Sequence, residues 1–302
     1  MDKDRAKSAA ALRRAAASPK VRAVLLTVDL PVVSKREADE RVRMAAADVN
    51  ANTGVAVSTQ PARGFGFARQ TGSFIDPDLS WADVAWVRRA LTAAAAADAD
   101  GRAPRPPLPL LLKGVQTAED ARRACRAGVD GIVLSNHGGR AADTAPPAIL
   151  TLLELHRCCP EVLGAVAVLV DGGFRRGSDV VKALSLGAAA VGIGRPFLYA
   201  LGYGRDGVEH AIDSECACLP TLLPALVESR PCAGVRGRRT DDVRWQVVKD
   251  EIETAMRLCG MADLMRDAHP DLVNTADIDH LVPGPGGHPY ARKITSVVKP
   301  RL

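Results

Sequence analysis

Five short apolar runs punctuate the chain, each followed by Gly, Asp, Asn or Pro. They are Val21–Asp29 (VRAVLLTVD), Leu108–Gly114 (LPLLLKG), Gly131–Gly139 (GIVLSNHGG), Ala165–Gly173 (AVAVLVDGG) and Ala189–Pro196 (AAVGIGRP). Val, Leu and Ile fill them without polar alternation, the pattern of strands covered on both faces in a parallel sheet. Helical signals lie between them. Thr117 precedes Ala-Glu-Asp, a capping-box-like start, and Gly128 closes that helix. Ser178 is read as opening a helix over Asp179–Leu186 that Gly187 closes. Strand, capped helix and strand in alternation predict βα units. The polar residues gather after the strands, where α/β barrels place their sites.

The stretch Glu40–Pro107 is too long for a turn and reads as a loop or lid with one helix. Within it, Asn50–Thr71 is Gly-rich and polar, Trp81–Ala97 forms the helix with Ser80 as its N-cap, and Asp98–Pro107 is a linker of Ala, Arg and Pro. Beyond Pro196 the chain turns helical, with Asp242–Leu258 the clearest amphipathic stretch. The expected organisation is one domain over 1–282 and an extended tail over 283–302, which opens with Pro283–His288.

Composition narrows the class. The 302 residues are 47% hydrophobic and 25% charged, which excludes a disordered chain, a collagen-like repeat and a membrane bundle. The net charge of +5 is spread without a dense basic block, so no nucleic-acid partner is expected. The seven cysteines include no pair of CxxC units, and Cys216 and Cys218 form a lone CxC. They read as reduced thiols, with no metal site. No run is long and apolar enough for a membrane span, and the N-terminal residues lack the apolar core of a signal peptide. A cytoplasmic location is expected, with peroxisome and mitochondrion left open; the terminal Lys-Pro-Arg-Leu is only loosely similar to a peroxisomal address.

The candidate chemistry sits at the strand ends. In Ser135-Asn136-His137-Gly138-Gly139-Arg140 a histidine able to exchange a proton near neutral pH is flanked by residues that let a flat ligand approach, and the Arg can grip a carboxylate. Its plain alternative is a surface turn. Asp171-Gly172-Gly173-Phe174-Arg175-Arg176-Gly177 and Gly192-Ile193-Gly194-Arg195-Pro196 are two Gly-rich strand ends in succession that can present amides to an anion, with Arg175 and Arg195 adding charge. Lys113, at the top of a buried strand, needs an anionic partner; it suits either a Schiff-base nucleophile or a fixed cation beside a cofactor. Asp29, in Thr27-Val28-Asp29, either orients His137 or caps a turn. Arg36 is either a second carboxylate clamp or a solvated charge.

The ordered set TVD, KGV, SNHGGR, DGGFRRG and GIGRP resembles the FMN-dependent α-hydroxy acid dehydrogenase/oxidase family, which includes glycolate oxidase, lactate oxidase and flavin lactate dehydrogenases. The resemblance implies a (βα)8 TIM barrel with FMN at its C-terminal mouth, and oxidation of a small 2-hydroxy acid to the 2-oxo acid. It implies His137 as base, Asp29 as its partner, and Arg140 and Arg36 as carboxylate clamps. Lys113 would sit at the flavin edge, and Thr27 and Ser135 would contact the flavin. Asp171, Gly172, Gly173, Phe174 and Arg175, with Gly194 and Arg195, would hold the ribityl and phosphate groups. A homo-oligomer is also implied. In the family TVD ends the fourth strand, so the five runs correspond to β4–β8, with a helical extension after them and the first three βα units lacking. Ala141-Ala142 stands where the family has Gln-Leu, and Ser34 where it has Gly. The alternative function is a non-catalytic remnant that keeps only the phosphate-binding half.

Overall fold

The computed structural model describes residues 1–32, 75–97, 106–212 and 247–284. All five apolar runs are strands of one parallel sheet in the order β1 (Val24–Thr27), β2 (Leu110–Val115), β3 (Gly131–Leu134), β4 (Ala167–Asp171) and β5 (Ala190–Gly192). Each strand lies beside its sequence neighbour, as successive right-handed βα units require. The result is a partial barrel, five strands of a (βα)8 architecture.

Helices cover one face of the sheet: α1 (Arg5–Ala17), α2 (Trp81–Ala97), α3 (Ala118–Arg126), α4 (Ala148–Cys158), α5 (Pro160–Ala165) and α6 (Gly177–Ser185). The core lies between them and the sheet. Leu26, Leu110, Leu112, Ile132, Leu134, Val168 and Val170 point into it, each exposing less than a tenth of its surface. The expectation of strands covered on both faces holds for β2 and β3, where Leu111 and Val133 are also buried. It fails for β1: Leu25, on the opposite face, is 50% exposed, because nothing among the described residues packs there.

The caps follow the local chemistry in most places. Thr117 Oγ1 accepts from the Asp120 amide at 3.1 Å and starts α3. Asp83 accepts from the Ser80 amide at 2.8 Å at the start of α2. The opening of α6 differs from the sequence expectation. Ser178 lies inside the helix; the N-cap position is Arg176, and Asp179 Oδ2 accepts from the amides of Arg175 and Arg176 at 3.1 Å each. The Gly177 amide is taken by Glu251 Oε2 at 2.8 Å. That carboxylate comes from α9 (Val247–Leu258), which follows α7 (Arg195–Leu201) and α8 (Gly204–Ile212). Gly177 carries no side chain for a steric reason: a Cβ there would sit 2.3 Å from the Ile252 amide nitrogen.

Two further tethers close the molecule. Arg5 pairs with Asp76 at 2.5 Å and Asp83 at 2.7 Å, fixing α1 to the start of α2; the Asp78 amide, with Arg5, lowers the Asp76 carboxyl, and against the burial that would raise Asp83, its bonds from Ser80, with Arg5, lower that one too. After α10 (Leu264–Asp267) a 3-10 segment, Ala276–Leu281, is pinned to α4 through Arg157, which bonds Thr275 and Asp279. The Cys158 thiol donates to the carbonyls of Pro283 and Gly284. The helix expected within 40–107 buries Val84, Val87 and Leu91 in the core; residues 40–74 and 98–105 lie outside the described residues.

Leu134 is fully buried beneath the site, so Leu134→Ala should lower the unfolding free energy by about 2–5 kcal/mol, read from urea midpoints. Cys159 is also fully buried, and that burial pushes its thiol from the ordinary 9.0 up to about 11. A folded-state value raised in this way contributes stability that is complete below about pH 9 and is lost as pH rises through about 11. Maleimide at pH 8 should modify the exposed Cys259 well before Cys159; equal rates would contradict this burial.

Candidate active site

The site is built at the C-terminal ends of β1 to β4, and its geometry begins with a glycine. Strand β2 is irregular between Lys113 and Val115, and the intervening Gly114 has φ +105°. A Cβ on Gly114 would lie 2.4 Å from Asp29 Cγ. Only glycine both adopts this backbone and leaves that space. Asp29, two residues beyond β1, drops into it with its side chain 1% exposed.

From there Asp29 Oδ1 meets His137 Nδ1 at 3.2 Å. A carboxylate can only accept, so the bond places the ring proton on Nδ1 and leaves the Nε2 lone pair available as a base. His137 sits on a 3-10 turn, His137–Gly139, whose three residues all have left-handed backbone, with φ of 58°, 68° and 70°. The turn is held at each residue. Ser135 Oγ accepts from the His137 amide at 3.0 Å, Asn136 Oδ1 accepts from the Gly139 amide at 3.0 Å, and the Arg195 guanidinium donates to the Gly138 carbonyl.

Ser135 is a hub, 1% exposed. Its hydroxyl oxygen also accepts from Lys113 Nζ at 2.8 Å. Both lone pairs are thereby engaged, and the hydroxyl proton is what remains to give. Lys113 Nζ also pairs with Asp171 Oδ2 at 3.2 Å, the arrangement of a fixed cation. Thr27 stands beside Lys113 in the β1–β2 register. Two carboxylate oxygens, Asp29 Oδ2 and Asp171 Oδ1, are buried without a hydrogen-bond partner; each is an acceptor whose capacity is unmet.

The anion end differs from the sequence expectation. The amides of Arg175, Arg176 and Gly177, which lead into α6, are already engaged by Asp179 and Glu251, so these three are not offered to an anion. What stays open is the glycine backbone: Gly173 (φ 91°) and Gly194 have nothing within 4 Å of where a Cβ would stand. Arg175 and Arg195 are exposed beside it. Phe174 is 5% exposed and belongs to the core, not to the open surface of the loop. Arg140 follows the His137 turn and is exposed. Arg36 lies outside the described residues. The structure thus brings together Asp29, His137, Ser135, Lys113, Asp171 and Arg195. Sequence reasoning missed Asn136, whose position before two glycines is an Asx-turn signal.

A parallel α/β sheet with an acid–imidazole pair, a fixed cation and open glycine loops at its strand ends defines a barrel-type ligand site. Comparison with known proteins agrees. The family model described as FMN-dependent dehydrogenase matches residues 1–215. The peroxisomal (S)-2-hydroxy-acid oxidase GLO4 of Oryza sativa subsp. japonica is 43% identical over 217 residues, covering 70% of this chain and 53% of that protein. The L-lactate dehydrogenase (cytochrome) of Saccharomyces cerevisiae is 34% identical over 261 residues, covering 85% and 36%. Among solved structures, a mutant flavocytochrome b2 with pyruvate bound gives a TM-score of 0.62 at 30% identity, covering 100% of this chain and 59% of that one. Mandelate oxidase with (S)-4-hydroxymandelic acid gives 0.58 at 31% identity, covering 87% and 61%. The chain belongs to the FMN-dependent dehydrogenase family. It spans about half the length of the plant relatives it matches.

Gly114→Ala tests the construction of the site. Overpacking against Asp29 should lower the unfolding free energy by about 1–3 kcal/mol in urea titrations, and unchanged stability would show that Asp29 does not depend on this close approach.

Proposed function

We propose that this chain performs the FMN-dependent oxidation of a small 2-hydroxy acid to the 2-oxo acid. The observation that carries the reading is the convergence of the Asp29–His137 pair with the Lys113–Ser135–Asp171 cluster at adjacent strand ends. FMN, when bound, supplies the acceptor for the two electrons that leave the substrate. The residues present suit it. Asp171 Oδ1, buried and without a partner, can accept from a polyol hydroxyl. The amides around Gly172, Gly173 and Gly194, with Arg175 and Arg195, offer donors to a phosphate. Lys113 provides positive charge where a ring gains negative charge, with Thr27 and Ser135 beside it.

In this reading His137 takes one proton from the substrate at Nε2, and Asp29 stabilises the imidazolium that results. Oxidation releases two electrons and two protons overall; the second proton leaves with the electrons. Arg140, with Arg36 as a second clamp, binds the substrate carboxylate. The ion pair of Lys113 with Asp171 favours a fixed cation over a Schiff-base nucleophile. A homo-oligomer belongs to the reading. So does a location in the cytoplasm or, as the name of the rice relative suggests, the peroxisome. Among the described residues no helix is long and apolar enough to cross a membrane, and no group of side chains is suited to a metal ion.

A second reading, a non-catalytic remnant that keeps only the phosphate-binding half, draws on the solvent-facing Leu25 and on sheet edges without partners among the described residues. One experiment separates the two. Purified protein mixed with FMN should become yellow and bleach anaerobically on addition of an (S)-2-hydroxy acid. His137→Asn should keep the colour and slow bleaching by about 10²–10⁴-fold. A protein that stays colourless in excess FMN refutes the first reading; weak binding without bleaching supports the second.

A further inference from the structure

The His137 turn is a costly piece of backbone. A side chain at φ 58° is strained by roughly 1–2 kcal/mol, and such a residue persists only where its surroundings hold it. Ser135 secures the entry to the turn and Arg195 its middle carbonyl. Neither reaches its exit. Asn136 does, with both ends of its carboxamide. Oδ1 accepts from the Gly139 amide at 3.0 Å, which the Asn136 main-chain carbonyl shares at 3.1 Å, and Nδ2 donates to the Pro146 carbonyl at 3.1 Å, where the chain returns from the following loop. The same Oδ1 would be 3.2 Å from a Cβ on Gly172, so a side chain there would crowd it.

We propose that Asn136 is the positioning residue of the site: its carboxamide fixes the His137–Gly139 turn so that Nδ1 of His137 faces Asp29. It touches no reacting atom and acts through the histidine. The proposal rests on the functional reading above only in calling His137 the base; the placement of the ring is a property of this chain alone. The acceptor half of the amide, on Gly139, is the half that aims the histidine, and the donor half anchors the loop to Pro146. Asp keeps the acceptor for Gly139 and loses the donor to Pro146, and Ala loses both.

The test is made on the full chain without FMN. Long-range ¹H–¹⁵N correlation spectra of the imidazole report which ring nitrogen carries the proton. Wild type should show His137 protonated at Nδ1. Asn136→Ala should lose that preference while circular dichroism stays native-like, and Asn136→Asp should retain it. An Asn136→Ala protein with the wild-type tautomer overturns the proposal. So does an Asn136→Asp protein, natively folded, that loses the tautomer as completely as Ala does. A separate FMN titration of the wild type keeps the two readings apart: no uptake refutes the proposed function, and the tautomer comparison still decides the role of Asn136.

Discussion

The site depends on one steric allowance, the missing side chain at position 114. A parallel strand normally presents a Cβ at every residue, and any Cβ here would overlap the carboxyl group of Asp29. Because Gly114 yields that space, an aspartate can be buried to 1% exposure between β1 and β2 and still reach an imidazole beyond the end of β3. Three strands distant in sequence are thereby made to share one proton-handling pair. Burial matters to the chemistry, since a carboxylate shielded from water acts more strongly on a neighbouring ring.

Charge in the site is arranged in pairs with vacant capacity. Lys113 is matched by Asp171 and steadied by Ser135, and Asp29 is matched by His137. Each carboxylate uses one oxygen in its pair and leaves the other buried without a partner. An isolated buried acceptor costs about 1–3 kcal/mol, and the site carries two of them, one beyond β1 and one at the end of β4.

Much of the fold was legible because its strands are aliphatic runs without alternation, a pattern few other elements produce. Two things hid the rest. Helix α1 contains only one large aliphatic residue, Leu12, among alanines and arginines, so it shows no apolar stripe; it is held instead by Arg5 reaching Asp76 and Asp83. The start of α6 was misread at Ser178 because one of its true caps, Glu251, lies 74 residues away. Local sequence cannot reveal a carboxylate delivered by tertiary packing. At the site, the residue types and their order pointed to Asp29, His137 and Lys113. The hydrogen bonds of Asn136 and Arg195 to the backbone of the turn became visible only with the chain folded.

One of those bonds, from Arg195 to the Gly138 carbonyl, ties the loop after β5 to the loop after β3. Arg195, at the start of α7, has a guanidinium with five donors and uses one nitrogen on the Gly138 carbonyl. Gly194, the residue before it, has open space where a Cβ would stand. A group that can read an anion at one end of the cleft is therefore bonded to the backbone that aims the base at the other. Asn136 secures the exit of the same turn through Gly139 and Pro146. Disorder in the anion loop would then reach His137 through a single hydrogen bond, whereas Asp29, seated on Gly114 at the other side of the sheet, would stay where its burial puts it. The imidazole is thus the adjustable member of the pair and the carboxylate the fixed one.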